Sequence, residues 1–168
     1  MASSIVVEDL VRKYGAFAAV DGISFRVEEG EIFGFLGPNG AGKSTTIKIL
    51  TTLLLPTSGK VEVAGHDVVK EPGAVRMEVG VALQEIGVDP LLTGRELLEV
   101  QARLFGMPKR RARQRADELL SLVGLEEAAG RRTGSYSGGM RRKLDLALAL
   151  VHGPGILVLD EPPPASTR

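Results

Sequence analysis

The chain contains no cysteine. Disulfides, thiol catalysis and cysteine-rich zinc sites are therefore excluded together, and with only 2 histidines a histidine-based metal centre has little to be built from. Neither sign of charge is in surplus, since 21 Lys+Arg stand against 21 Asp+Glu. Neutralising phosphates along a nucleic acid needs a basic excess on one face, so the balance argues against a strongly basic nucleic-acid binder and no nucleic-acid partner is expected. No stretch approaches the roughly 18 apolar residues of a membrane span. Nor does a charged segment followed by an apolar one mark a secretory signal. A composition of 43% hydrophobic and 25% charged residues does not suit disorder, and 168 residues are enough for one core, burying roughly 70% of the unfolded surface. Glycine is what the chain has in excess: 21 residues, roughly 12% against a usual share of about 7%. Such an excess points to loops where backbone must approach something closely.

The first forty residues read as short strands and tight turns. Ile5-Val6-Val7 is a brief β-branched run, and residues 23–27 alternate apolar and polar side chains as a half-buried strand does. After the polar turn Glu28-Glu29-Gly30, the run Ile32-Phe33-Gly34-Phe35-Leu36 predicts a central strand covered on both faces. Residues 44–54 read as a helix broken by Pro56-Thr57-Ser58-Gly59, Val61-Glu62-Val63 as a short strand, and residues 79–83 as an apolar strand ending at Gln84. Helical signals follow. Thr93-Gly94-Arg95-Glu96 is a capping box ahead of a helix that stops near Gly106-Met107-Pro108. A second helix begins about Lys109, carries Ala112, Ala116, Leu119, Leu120 and Val123 on one face, and ends at Gly124. A third opens at Ser137, repeats Leu144, Ala147, Leu148 and Val151 at helical spacing, and stops at Gly153-Pro154. Residues 156–159 read as a last buried strand running into Asp160-Glu161. Strand and helix alternation of this kind argues for an α/β domain with a parallel sheet.

Gly37-Pro38-Asn39-Gly40-Ala41-Gly42-Lys43-Ser44 matches G-x-x-x-x-G-K-[ST] at every fixed position, with an apolar run before it and a helix after it. Gly40 and Gly42 let successive backbone N–H groups turn inward around phosphate oxygens with no Cβ in the way. The helix that follows adds the partial positive charge of its N-terminus. Lys43 carries a full charge to the β- and γ-phosphates, and the Ser44 hydroxyl can ligate Mg²⁺. At the end of the last strand, Asp160 can hold the hydration shell of that ion, and the adjacent Glu161 can orient and deprotonate an attacking water. Between these segments, Tyr136-Ser137-Gly138-Gly139-Met140 opens a helix; it offers either a second set of phosphate-facing N–H groups or an ordinary Ser cap with a flexible approach.

Residues 37–45, Gln84, residues 136–140 and residues 159–162 stand in the order and spacing of an ATP-binding cassette (ABC transporter) ATPase subunit, which the chain resembles over essentially its whole length. The version Tyr-Ser-Gly-Gly-Met-Arg-Arg-Lys-Leu-Asp-Leu-Ala, from Tyr136, looks most like the daunorubicin-resistance type of bacterial drug exporters. The resemblance implies an α/β P-loop NTPase core with a mixed β-sheet plus a helical subdomain. Residues 1–84 and 141–168 would form one discontinuous nucleotide-binding lobe, and residues 85–140 the signature-motif subdomain facing membrane subunits. ATP and Mg²⁺ are the implied ligands. Gly37, Pro38, Asn39, Gly40, Ala41, Gly42, Lys43, Ser44 and Thr45 would surround the phosphates, and Tyr14 would stack on the adenine; on its own Tyr14 reads as a core or surface aromatic. Ser44, Gln84 and Asp160 would hold Mg²⁺, Gln84 would sense the γ-phosphate, and Glu161 would be the general base. Ser137, Gly138, Gly139 and Met140 would contact the ATP held by the opposite subunit of a head-to-tail dimer. Met140 replaces the Gln most common there, as is typical of the drug-exporter branch. The implied partners are a second ATP-binding subunit and integral membrane permease subunits, which would hold the protein in the cytoplasm against the inner face of the cell membrane.

The basic stretch from Lys109 to Arg115 reads as a solvated helix face balanced by acids, and His66 and His152 read as structural. The end of the chain departs from the family. Instead of Glu-Pro-Thr-x-Gly-Leu-Asp-Pro it runs Glu161-Pro162-Pro163-Pro164-Ala165-Ser166-Thr167-Arg168, and three consecutive prolines form neither helix nor central strand. The C-terminal part of the core is thus expected to be missing, with the D-loop and the switch histidine, and a sheet edge left unpaired. Two readings remain: an exporter subunit that couples ATP hydrolysis to transport, and a truncated cassette that binds nucleotide without hydrolysing it. A P-loop GTPase or small-molecule kinase is opposed by the signature motif and by the lack of an Asn-Lys-x-Asp guanine reader. A DNA-repair ABC ATPase is opposed by the shortness of residues 85–140.

Overall fold

The computed structural model describes residues 3–82 and 89–159. The chain forms two compact units, Met1–Val79 and Gly80–Arg168. In the first, β1 (Ser3–Tyr14) and β2 (Phe17–Glu28) make a long antiparallel hairpin. Its tip needs a left-handed residue, and Gly15 supplies it at φ +58°. β3 (Ser58–Val63) pairs with the other side of β1, and β4 (His66–Asp67) with β3, giving the order β2-β1-β3-β4. Val7, Leu10, Val61 and Val63 are buried in this sheet. α1 (Lys43–Leu50) packs on β2 and β3 and buries Ile47, Ile49 and Leu50, while α2 (Pro72–Glu78) buries Val75.

Several expectations change in this unit. Its sheet is antiparallel throughout and not parallel, since hairpin turns join β1 to β2 and β3 to β4, and parallel pairing needs a crossover between neighbours. Residues 32–36 form no strand. Phe33 stacks on Phe25 with ring centroids 5.2 Å apart, and Phe35 meets both rings edge-on, while Ile32 and Leu36 are 99% and 95% exposed. An apolar run becomes a strand only where neighbours take its N–H and C=O groups; no described strand does so here, and aromatic packing holds the segment instead. The run at Ile5 belongs to a 12-residue strand. The register shifts between Val7 and Leu10, with Asp9 at φ +46°, and that bulge breaks the alternation a sequence reader follows. The helix after the glycine-rich loop ends at Leu50, not Leu54, because Thr52 turns to φ +62°. β4 and α2 had no sequence assignment; Pro72 at the start of α2 was the available signal.

The second unit contains β5 (Val79–Ala82), α3 (Gly94–Leu104), α4 (Lys109–Leu122), α5 (Gly138–Ala149) and β6 (Ile156–Leu159). The capping box forms as its residue types require: the Glu96 N–H donates to Thr93 Oγ1 at 3.2 Å, and the Thr93 N–H donates to Glu96 Oε2 at 2.8 Å. Those hydrogen bonds hold the Glu96 carboxyl below its usual range. Leu98 and Ala102 of α3, Ala112, Ala116, Leu119 and Leu120 of α4, and Leu144 and Ala147 of α5 share one core. β5 and β6 pair as a two-stranded sheet. β6 is not the buried strand the sequence suggests, because Leu157 and Leu159 are exposed and only alternate residues are covered. The basic stretch is only partly a solvated face. Arg115 reaches from α4 to the end of α5, where Nε donates to Val151 O at 3.0 Å and Nη2 to Leu150 O at 2.8 Å. A helix ends in carbonyls without intrahelical donors, and a guanidinium fork satisfies two of them. No helix among the described residues is long and apolar enough to cross a membrane.

Candidate functional site

The loop at residues 37–44 leads into α1 without a side-chain cap. Gly42 occupies the N-cap position at φ +81°, and no side chain accepts from the first turn. Helix geometry leaves the first N–H groups without intrahelical acceptors, so these donors lie at an open, glycine-rich surface. The left-handed conformation at Gly40, φ +84°, and at Gly42 would strain any other residue. At Gly42 there is also no room, since a Cβ would run into Ala19 O and lie 3.1 Å from Val20 Cγ2. The Lys43 ammonium folds back over the loop, donating to Gly37 O at 2.7 Å and Pro38 O at 2.8 Å. Thr46 secures the first turn from behind, its hydroxyl donating to Gly42 O at 3.0 Å. Ser44 is exposed, and Thr45 is half-buried. A cradle of uncapped amides with a lysine across its mouth suits a phosphate chain, and an exposed hydroxyl in the first turn suits a hard cation bound to that chain.

Tyr14 ends β1 and is 49% exposed. Arg12 pairs with Val20, whose side chain backs Gly42, and Tyr14 lies two residues further along β1, roughly 7 Å, opposite Phe17.

The turn at Ser137 is built differently. Ser137 is the N-cap of α5, and its Oγ accepts from the Met140 N–H at 3.2 Å. Tyr136 is buried, its hydroxyl donating to Ala128 O at 2.8 Å; burial pushes that phenol up. Gly94 makes the space, since a Cβ there would lie 2.5 Å from Tyr136 Oη. Arg141 ties the turn down from the other side, Nε donating to Tyr136 O at 3.2 Å and Nη2 to Gly134 O at 3.4 Å. Ser137, Gly138 and Gly139 are left exposed, while Met140 packs against the three-helix core. Sequence reasoning named Ser137 to Met140 and missed these supports; a tyrosine directly before the cap was the one available hint.

Gln84, Asp160 and Glu161 lie outside the described residues. Among the described residues no three or more acids and histidines gather as a metal site.

A family model described as ABC transporter matches residues 20–163. The chain belongs to the ABC transporter family. It is 48% identical over 160 residues to the daunorubicin resistance ATP-binding protein DrrA3 of Streptomyces coeruleorubidus, covering 95% of this chain and 51% of that protein. It is 47% identical over 161 residues to the doxorubicin resistance ATP-binding protein DrrA of Mycobacterium tuberculosis, covering 95% and 49%. The chain thus spans about half the length of these curated relatives. Among solved structures it is similar to cbiO1 of Clostridium perfringens, part of the ABC transporter complex cbiONQ, with a TM-score of 0.86, 27% identity, and coverage of 96% of this chain and 66% of that one. The fold is accordingly that of the ABC ATPases, an α/β core with a helical part, and the family implies ATP binding.

Proposed function

We propose that this chain binds MgATP through residues 37–45 and serves as the nucleotide-binding part of a multidrug-type exporter, coupling ATP hydrolysis to transport by separate membrane subunits. The observation that carries the reading is the uncapped, glycine-walled N-terminus of α1 with Lys43 folded across it. Binding would move the Lys43 ammonium from two carbonyl oxygens of its own loop to phosphate oxygens, a stronger charge-assisted pairing. Ser44, Gln84 and Asp160 would hold Mg²⁺, which when bound neutralises charge developing on the β- and γ-phosphates. Tyr14 would stack on the adenine, and Glu161 would take the proton of the attacking water. The exposed Ser137, Gly138 and Gly139, with Met140 behind them, would meet the nucleotide on a second subunit in a head-to-tail pair. Such a subunit would work in the cytoplasm, docked on its permease.

A thermal melt with and without MgATP tests the reading. Ligand at about 100 times its dissociation constant adds about 2.7 kcal/mol to the folded state, so the transition should rise with MgATP in the wild type and stay put in Lys43→Ala. A transition indifferent to MgATP would overturn the assignment. Turnover is a separate question. Glu161→Gln should abolish phosphate release and spare the MgATP-dependent melt shift, and release that survives it would remove Glu161 as the base.

A further inference from the structure

Arg12 has no part in the nucleotide site as described so far. Its guanidinium carbon lies 4.5 Å from the centre of the Tyr14 ring. Nη1 donates to Leu55 O at 3.0 Å, which anchors the side chain. Nε is buried and has no hydrogen-bond partner. A buried donor left unmatched is costly, so the guanidinium is held over the ring by something other than a full set of hydrogen bonds. Attraction between a cation and the electron-rich ring face supplies that. Tyr14 as a residue is 49% exposed.

We propose that Arg12 is a positioning residue for purine recognition: it clamps one face of Tyr14 and presents the other to the base of a bound nucleotide. The inference rests on the reading of Tyr14 as the stacking residue. Without the clamp the ring, at the tip of a hairpin, would have several side-chain rotamers open to it, and a base would have to order it on binding. A planar guanidinium matches the ring better than an ammonium does, so lysine should replace it only in part. The contribution acts on the base and leaves the phosphates untouched.

Calorimetric titration with ATP and with inorganic tripolyphosphate, which has phosphates and no base, separates the possibilities. Arg12→Gln carries no charge and, two bonds shorter, also gives up the donation to Leu55 O. It should weaken ATP about threefold to fivefold, the size of an exposed cation–ring contact, and leave tripolyphosphate unchanged. Arg12→Lys should fall between it and the wild type, and serves as the test on the same criterion if the glutamine variant shows no cooperative melt. Equal weakening of both ligands would mean that Arg12 acts through Leu55 on the frame of the loop, and would overturn the proposal. So would no change in either. Tyr14→Ala is the control for the reading beneath it: if ATP affinity survives that change, the stacking role itself fails and the clamp fails with it. If Tyr14→Ala weakens ATP and the Arg12 variants do not, the clamp alone is wrong.

Discussion

Two helices in this protein begin at glycine-rich turns, and they begin in opposite ways. α1 starts at a left-handed glycine with no side chain to cap it. α5 starts at Ser137, whose hydroxyl already accepts from Met140, with Tyr136 and Arg141 pinning the turn on both sides. Both sites present a helix N-terminus and both look alike in sequence, a small residue and glycines ahead of a basic helix. The first leaves its amides for an outside acceptor and must therefore be glycine where the backbone is tightest. The second has one of its first-turn amides, that of Met140, capped from within, and its glycines keep the surface low. α3, with a complete capping box, shows what a helix start looks like when nothing else is asked of it.

Alanine at the two kinds of glycine gives the sharpest test of that difference. Gly42→Ala puts a Cβ against Ala19 O and forces a left-handed alanine. Strain and overpacking together should cost about 2 to 4 kcal/mol and abolish the MgATP-dependent melt shift. At Gly138 an added methyl would meet nothing within 4 Å, and the backbone has no left-handed φ, so Gly138→Ala should melt within about 0.5 kcal/mol of the wild type. Equal losses at the two positions would break the comparison.

Next in size is Tyr136→Phe. It removes one of two hydrogen bonds at Ala128 O, which keeps the Arg131 N–H at 2.9 Å, and should cost about 0.5 to 1.5 kcal/mol in chemical denaturation. Unchanged stability would mean that the α5 turn is held by Ser137 and Arg141 alone. Ser137→Ala should cost about 1 kcal/mol, the usual worth of a serine cap. No such substitution exists for α1, which has no capping side chain to lose.

The motifs were legible because each is fixed by local chemistry. A loop that must bring amides to a phosphate needs glycine at set spacings, and Gly40 and Gly42 take the left-handed conformation there; a capping box needs Thr and Glu three apart, and it forms where the residue types put it. The helices of the second unit were legible for a related reason, since Ala112, Ala116, Leu119 and Leu120 in α4, and Leu144 and Ala147 in α5, recur at the helical period. The sheets were legible only in pieces: residues 23–27, 61–63 and 79–82 lie in strands as read, but lengths and pairing did not follow. Whether residues 32–36 become a strand depends on what lies beside them, and Phe33 and Phe35 found Phe25 instead. The bulge at Asp9 hid the length of β1 for the same reason, as pairing register is a property of two segments and periodicity belongs to one. At the site, Arg141 and Gly94 could not be read because their partners, Tyr136 O and Tyr136 Oη, are brought to them by folding.

The smallest effect concerns the acid on α5. Asp145 is partly buried, and that burial pushes its carboxyl up to about 6, with Arg142 pulling the other way. α1 carries no acidic residue at all. A carboxyl raised above its unfolded value of about 3.9 binds its proton more tightly in the folded state, so its favourable contribution is complete below about pH 4 and is lost as pH rises through about 6. The carboxyl is also partly open to water, which screens the cost to about 1 kcal/mol at pH 7. Asp145→Asn keeps the shape and cannot ionise. It should raise the midpoint of denaturation at pH 7.5 by that amount and match the wild type near pH 4, narrowing the pH dependence of the α5 unit. A variant no more stable at pH 7.5 than the wild type would mean that Asp145 reaches water freely and that the self-contained turn of α5 carries no charge burden of its own.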